Sequence, residues 1–134
     1  MAREQAWPRQ PSDRQWEKPE GDDPRTLYQM LMVSQEKFGD ANCIGYIPAP
    51  GMQRIHLSYN TFGDLSTSVA KGLRDIGVEK GDRVAIIIDN SVEWAALSYG
   101  ANAIGAAYTA MYTHQHGKDW AYIIADATPK VVAV

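Results

Sequence analysis

From Leu57 to Val134, helix-like stretches alternate with short apolar runs, and this alternation constrains the fold more than any other feature. Phe62, Leu65, Val69, Leu73 and Ile76 recur at a helical period, which predicts a helix starting near Tyr59 to Thr61. Thr61 and Asp64 have the spacing of a capping pair for it, and Gly77 ends it. After the turn at Lys80-Gly81-Asp82 comes Val84-Ala85-Ile86-Ile87-Ile88, a continuous run of the kind found in a strand covered on both faces. Asn90 or Ser91 caps a third helix, Val92 to about Ile104, closed by Gly105. Its small residues (Ala95, Ala96, Ser98, Gly100, Ala101, Ala103) should let helix and sheet approach closely. A strand over Ala107 to Tyr112 follows, then a helix over Gly117 to Ala125 with Trp120, Ile123, Ile124 and Ala127 inward, and a last strand over Val131 to Val134. Strands separated by single helices demand right-handed crossovers, so the fold class is α/β with a parallel sheet and flanking helices.

An N-terminal helix and an antiparallel hairpin precede this unit. Leu27, Met30, Leu31, Ser34 and Phe38 share one helical face, Thr26 and Gln29 form a capping box, and Gly39 is the stop. Cys43 to Ile47 and Arg54 to Ser58 read as two strands around Pro48-Ala49-Pro50-Gly51, with imperfect alternation that leaves the register open. Residues 1 to 25 differ in kind, because Pro8, Pro11, Pro19 and Pro24 interrupt a polar stretch that has no apolar period. This leader either docks through Trp7 and Trp16 or stays disordered. The organisation is therefore a leader over 1 to 25 and one α/β subdomain over 26 to 134, expected to be truncated at its C-terminal end because no helix follows the last strand.

Composition closes off several functions. A formal charge of −3 with both signs interspersed provides no basic stripe for a phosphate backbone, which argues against nucleic acid. The single cysteine, Cys43, excludes an internal disulfide and sits in an apolar run where a buried thiol is expected, consistent with a reducing compartment. No stretch approaches the roughly 18 continuous apolar residues of a spanning helix, and the leader is too polar for a secretory signal. The expected location is intracellular, cytoplasmic or peripherally attached to an organelle membrane.

Four constellations invite chemistry, and a structural reading fits each. Gly100 and Gly105 copy the glycine spacing of a P-loop, yet Ala106 and Ala107 stand where Lys and Ser/Thr are needed, and the glycines lie late in a helix. Asp89-Asn90-Ser91 ends the best strand at a helix start, a ligand-binding position in open sheets, but capping accounts for Asn90 and Ser91. His114 and His116 have a metal-like spacing without further ligands nearby, so a loop or cap role is expected. Glu93 complements the dipole of a first helical turn, and Trp94 has a core-facing phase. No nucleophile elbow, paired metal-binding carboxylates or dinucleotide fingerprint is present, and no catalytic, cofactor-binding or metal-ligating residue is assigned.

Several segments together resemble the amino-terminal region of the adenylate-forming superfamily, which includes acyl-CoA synthetases. They are Leu57 to Phe62, Ala70 to Val78, Lys80-Gly81-Asp82-Arg83-Val84-Ala85-Ile86, Asn90-Ser91 with Glu93-Trp94, Ile104-Gly105-Ala106, Ala121 to Asp126, and Lys130-Val131-Val132. Thr26-Leu27, Phe38-Gly39-Asp40 and Cys43-Ile44-Gly45-Tyr46 are similar to the leader of long-chain fatty acyl-CoA synthetases. The resemblance implies a parent enzyme that joins a fatty acid to coenzyme A using ATP and magnesium, with AMP and pyrophosphate released. The phosphate loop, adenine segment, ribose-binding Asp and catalytic Lys of that family have no counterparts among these residues. The resemblance therefore implies a supporting fragment that is inactive alone, partnered by the remainder of its own enzyme and prone to self-association through exposed apolar faces. The alternative is a short noncatalytic module that binds a nucleotide, CoA or a protein partner.

Overall fold

The computed structural model describes residues 26–134; the leader and its two tryptophans lie outside the described residues. The first helix, α1 (Leu27–Phe38), starts as its capping box requires: Gln29 N–H donates to Thr26 Oγ1 at 3.1 Å, and Thr26 N–H donates to Gln29 Oε1 at 3.2 Å. Its apolar face is only partly used. Leu31 is buried, whereas Leu27, Met30 and Phe38 stay about half exposed. Phe38 leans instead on Tyr59, with ring centroids 5.1 Å apart.

The hairpin pairs β1 (Asn42–Tyr46) with β2 (Ile55–Ser58) as a separate two-stranded antiparallel sheet. Register runs Ile44 to Leu57, Gly45 to His56 and Tyr46 to Ile55, with a bulge between Asn42 and Ile44 that explains the broken alternation around Cys43. The polypeptide passes straight from β2 into α2 (Tyr59–Asp75), which corrects the expected cap. Ser58 is the extended N-cap, its Oγ accepting from Thr61 N–H at 3.1 Å, so Thr61 is already helical. Asp64 accepts from Gln35 Nε2 at 3.1 Å and ties α2 to α1. Phe62, Ser66, Ala70 and Leu73 are buried along α2, but Ile76 has become the C-cap and is 61% exposed.

Strand β3 (Arg83–Ile86) lies at the centre of a three-stranded parallel sheet, between β4 (Ala107–Ala110) and β5 (Val131–Ala133). As its continuous apolar run predicts, Val84 and Ile86 are 0% exposed and Ala85 is 1% exposed. Val84 and Ile86 pack with Leu73, Val78, Ala101 and Ala106, beneath α2 and α3 (Val92–Ala103). Alternation turns Arg83 and Ala85 to the other face. There the Arg83 guanidinium donates to Ala127 O and to Thr128 Oγ1 at the end of α4 (Gly117–Ala127). So α3 and α4 lie on opposite faces, as right-handed crossovers running in opposite directions require: α3 leads from β3 out to β4, and α4 leads from β4 back past β3 to β5.

The small residues of α3 serve the sheet, where Ala101 packs on Val84 and Ile86, and also a second neighbour, α2. A Cβ placed on Gly100 would stand 2.7 Å from Val69 Cγ1 and 3.1 Å from the Ala70 backbone nitrogen, so α3 presses closely on α2. Ala96, one turn earlier on α3, packs with Phe62 of α2 and Leu31 of α1. Along α4 the inward positions Trp120, Ile123, Ile124 and Ala127 are half-buried, and none of its residues is fully buried.

Candidate functional site

The sheet has two rims of different character. At the amino-terminal rim, Lys80-Gly81-Asp82-Arg83 forms a knot. Gly81, at φ +90°, donates its N–H to Gly105 O at 3.0 Å, and Asp82 O accepts from Ala107 N–H at 2.9 Å. Arg83 O accepts from Lys130 N–H at 2.8 Å. The Asp82 carboxylate accepts from Glu79 N–H at 2.7 Å and pairs with Lys130 Nζ at 2.9 Å. These two bonds, Lys130 first, hold the Asp82 carboxyl below its ordinary value of 3.8, and Asp82 raises Lys130 above its ordinary 10.5. One short segment thus fastens the starts of all three parallel strands.

The carboxyl-terminal rim is where an open α/β sheet offers a ligand crevice, between neighbouring strands whose crossovers leave to opposite faces. Strands β3 and β4 are that pair. A cleft of about 270 Å³ lies at their ends, lined by Ile88, Asp89, Asn90, Trp94, Ala110, Met111 and Tyr112. Trp94 sets its ring edgewise to Tyr108 at 6.0 Å, whereas the Tyr112 side chain is 66% exposed and packs edgewise on His114 at 5.3 Å. Asp89 Oδ1 accepts a hydrogen bond from Thr113 Oγ1 at 2.5 Å. Trp120 Nε1 donates to Tyr112 O at 3.0 Å, fixing the β4 exit.

The residues singled out from the sequence take these places. Asp89 and Asn90 line the cleft, and Ser91 is the helix cap, its Oγ accepting from Trp94 N–H at 3.1 Å. Glu93 occupies the first turn of α3. His116 is the N-cap residue of α4 by backbone, but its side chain makes no capping bond, and His114 stands beside Tyr112. The two histidines do not converge with other ligands: no group of three or more His, Cys, Asp or Glu side chains among the described residues could hold a metal ion. Gly100 is sealed against Val69, so its spacing to Gly105 belongs to packing. Cys43 is half-buried beside an apolar groove, and burial pushes its thiol up. Thr113, the partner of Asp89, is the residue that sequence reasoning missed. Extending the register Ile86 to Ala110 by three residues brings Asp89 level with Thr113, a signal available only once the strand pairing is known. A lone carboxylate, a hydroxyl and two aromatic rings can accept hydrogen bonds and stack a flat group. They include no nucleophile with its base and no anion cradle.

Known proteins share this arrangement. The profile described as AMP-binding enzyme matches residues 33–134. The long-chain-fatty-acid–CoA ligase ACSBG1 of Bos taurus is 32% identical over 111 residues, covering 83% of this chain and 15% of that protein. FadD13, a long-chain-fatty-acid–CoA ligase of Mycobacterium tuberculosis (strain CDC 1551 / Oshkosh), is 35% identical over 78 residues, covering 58% of this chain and 16% of its own length. Among solved structures, the N-terminal domain of FACL13 from Mycobacterium tuberculosis superposes with a TM-score of 0.72 at 28% identity, covering 81% of this chain and 27% of that one. A fatty acid AMP ligase from Legionella pneumophila reaches a TM-score of 0.74 at 14% identity, over 82% of this chain and 19% of that one, a likeness of fold alone. The chain thus spans less than a sixth of the bovine relative. With the profile running from Val33 to Val134 across both helix seams and the parallel sheet, this chain belongs to the AMP-binding enzyme family and corresponds to the N-terminal part of its fatty acyl-CoA ligases.

Proposed function

We propose that this chain is the amino-terminal scaffold of an ATP-dependent long-chain fatty acid–CoA ligase, inactive by itself. It supplies sheet and helices against which the remainder of the enzyme builds its active site. ATP, magnesium and CoA belong to that complete protein. The residues present do not fit them: Gly100 is packed shut, and the cleft above β3 and β4 offers Asp89 where a phosphate would need donors. No step of adenylation is therefore assigned to a residue of this chain. The observation that carries the reading is the cleft itself, which stands at the family fold's ligand rim without a reacting pair.

Among the described residues, the outer edges of β4 and β5 pair with no further strand, and Val132 and Val134 are exposed. These edges support a contact with the remainder of the enzyme, and self-association when that remainder is absent. No helix of the described residues is long and apolar enough to cross a membrane, which fits a cytoplasmic or peripherally attached parent. The division into a leader over residues 1 to 25 and a subdomain over 26 to 134 belongs to the same proposal.

The test is fatty-acid-dependent release of AMP and pyrophosphate from ATP. The 134-residue chain should release none. A chimera joining Val134 to the downstream part of the Mycobacterium ligase should turn over. Robust turnover by the isolated chain, or a folded chimera without activity, refutes the assignment.

A further inference from the structure

An apolar groove opens between α1, β1, α2 and α3, apart from the cleft at the sheet rim. It measures about 290 Å³, its walls include Met30, Ser34, Cys43, Tyr59, Phe62 and Tyr99, and no charged side chain lines it. Phe62 and Tyr99 meet edge to face with centroids 5.5 Å apart, an arrangement that a further aromatic group can extend. The Ser34 hydroxyl donates to Met30 O at 2.8 Å, which leaves its oxygen able to accept. The apolar surface also runs on beyond the groove. Leu27 and Met30, 49% and 47% exposed, continue it along α1 back to the N-cap Thr26, where the leader joins the described residues.

We propose that the leader covers this groove by seating the indole of Trp16 in it. Trp7 and Trp16 are the large apolar side chains of residues 2 to 25, set among Arg, Glu, Asp and Gln that keep to water. An indole suits the groove in three respects. A volume of about 290 Å³ holds one large side chain and falls just short of the roughly 300–1,000 Å³ of pockets for free small molecules. The indole N–H only donates, and Ser34 Oγ offers an acceptor. The Met30 thioether at the lip is a favourable neighbour for an aromatic ring. The tether fits as well. Trp16 precedes Thr26 by ten residues, a reach of up to about 33 Å, whereas Ser34 lies about 12 Å along α1 from Thr26. Trp7 would have a longer loop to close, so Trp16 is the occupant. Attachment at Thr26 holds the indole at a high effective concentration, an advantage that neither a second copy nor a distant segment shares. The leader, Leu27 and Met30 all precede Val33, where the family profile begins, so the stripe and its cover both belong to the part of the chain ahead of that match.

Cys43, the chain's one cysteine, reports from inside the groove. In the 134-residue chain, Trp16→Ser should raise the rate at which a disulfide reagent modifies Cys43 roughly tenfold, the change expected when a cover in place about nine-tenths of the time is lost. Trp7→Ser should leave that rate nearly unchanged. Glu17→Cys provides a direct trap: with diamide it should form an intramolecular disulfide to Cys43, and adding Trp16→Ser should slow that bond by a similar factor. Far-UV circular dichroism should be the same for all of these variants, whose changes lie outside every described helix and strand. A Cys43 rate or a cross-linking rate that ignores Trp16 overturns the proposal. So does a disulfide between chains that grows with protein concentration, since the indole would then sit in a second copy. In the chimera joined at Val134, protection of Cys43 that survives Trp16→Ser assigns the groove to downstream segments and overturns it too. Ligase turnover enters none of these readings, so this proposal and the scaffold assignment fail separately.

Discussion

Replacing Gly100 by alanine should destabilise the fold, although alanine is the better helix former. In a helix interior the exchange gains about 1 kcal/mol from propensity alone. Against that stand three close approaches of the new methyl group: Val69 Cγ1 at 2.7 Å, Val69 Cβ at 3.0 Å and the Ala70 backbone nitrogen at 3.1 Å. Forced overpacking costs about 1–3 kcal/mol, and the upper half of that range applies here because a backbone atom of α2 cannot swing aside as a side-chain tip can. The net expectation is a loss of about 1–2 kcal/mol, or roughly 3–5 °C in Tm for each kcal/mol at this chain length. Gly72 is the internal control. It lies in α2 with nothing within 4 Å of where a methyl group would stand, so Gly72→Ala should gain up to about 1 kcal/mol. The same chemical change then has opposite signs at two helical glycines. Urea unfolding followed by far-UV circular dichroism reads both. Adding Val69→Ala to Gly100→Ala should recover part of the loss relative to additivity, since the nearest crowding atom, Val69 Cγ1, is gone while Val69 Cβ and the Ala70 nitrogen remain. If Gly100→Ala stabilises as much as Gly72→Ala, or the double variant is strictly additive, the tight α2–α3 seam is not what holds these helices together.

Two further outcomes follow from the described geometry. Asp82→Asn removes the pairing with Lys130, so the unmodified protein should melt higher than the variant near neutral pH. Because the folded-state Asp82 carboxyl titrates below its ordinary 3.8, that difference should be present above this value and vanish as pH falls through the folded-state pKa. The Lys130 contribution has the reverse sense, complete below the ordinary 10.5 and lost as pH rises through the raised folded-state value. A difference in Tm that persists unchanged into strong acid would show the ion pair to be immaterial. Cys43, half-buried and with its thiol pushed up, should react with a disulfide reagent at pH 8 roughly tenfold or more slowly than the same chain in urea; equal rates would contradict the burial.

What could be read from the residues alone follows from how local each determinant is. The Thr26–Gln29 capping box and the Val84–Ile88 run are decided within a few positions; the box stands as read, and the run forms the buried strand through Ile86, with Ile87 and Ile88 beyond its end. The α2 cap reads as Thr61 with Asp64 from the sequence, yet Ser58 offers the same hydroxyl three residues ahead of a helical N–H. What decides between them is that β2 delivers the chain extended as far as Ser58, a consequence of pairing with β1. Periodicity likewise shows that α3 has small residues without showing what meets each; Gly100 meets Val69 of α2, whereas Ala101 meets the sheet. Leu27, Met30 and Ile76 share the apolar phase of their helices yet remain exposed, because nothing among the described residues reaches over them. The cleft was half legible. Asp89 could be placed at a strand end, but its bond to Thr113 depends on a parallel register that no local pattern encodes.

The two rims of the sheet also explain why family likeness and chemistry separate in this chain. Of the residues that carry the likeness most specifically, Gly81 bonds Gly105, and Asp82 and Arg83 bond Lys130 at the amino-terminal rim, while Ser91 and Glu93 serve the first turn of α3. Bonds of that kind couple strand starts that are far apart in sequence, so each tolerates little change: a lost Gly81 conformation or Asp82 acceptor loosens β3, β4 and β5 together. The opposite rim has looser demands. Asp89, Tyr112 and His114 are exposed around an open cleft, and Ile47 to Met52 are exposed among the described residues. Changes there cost little stability and can alter what the surface touches, which is the division expected of a part that holds a fold in place while neighbouring segments perform the reaction.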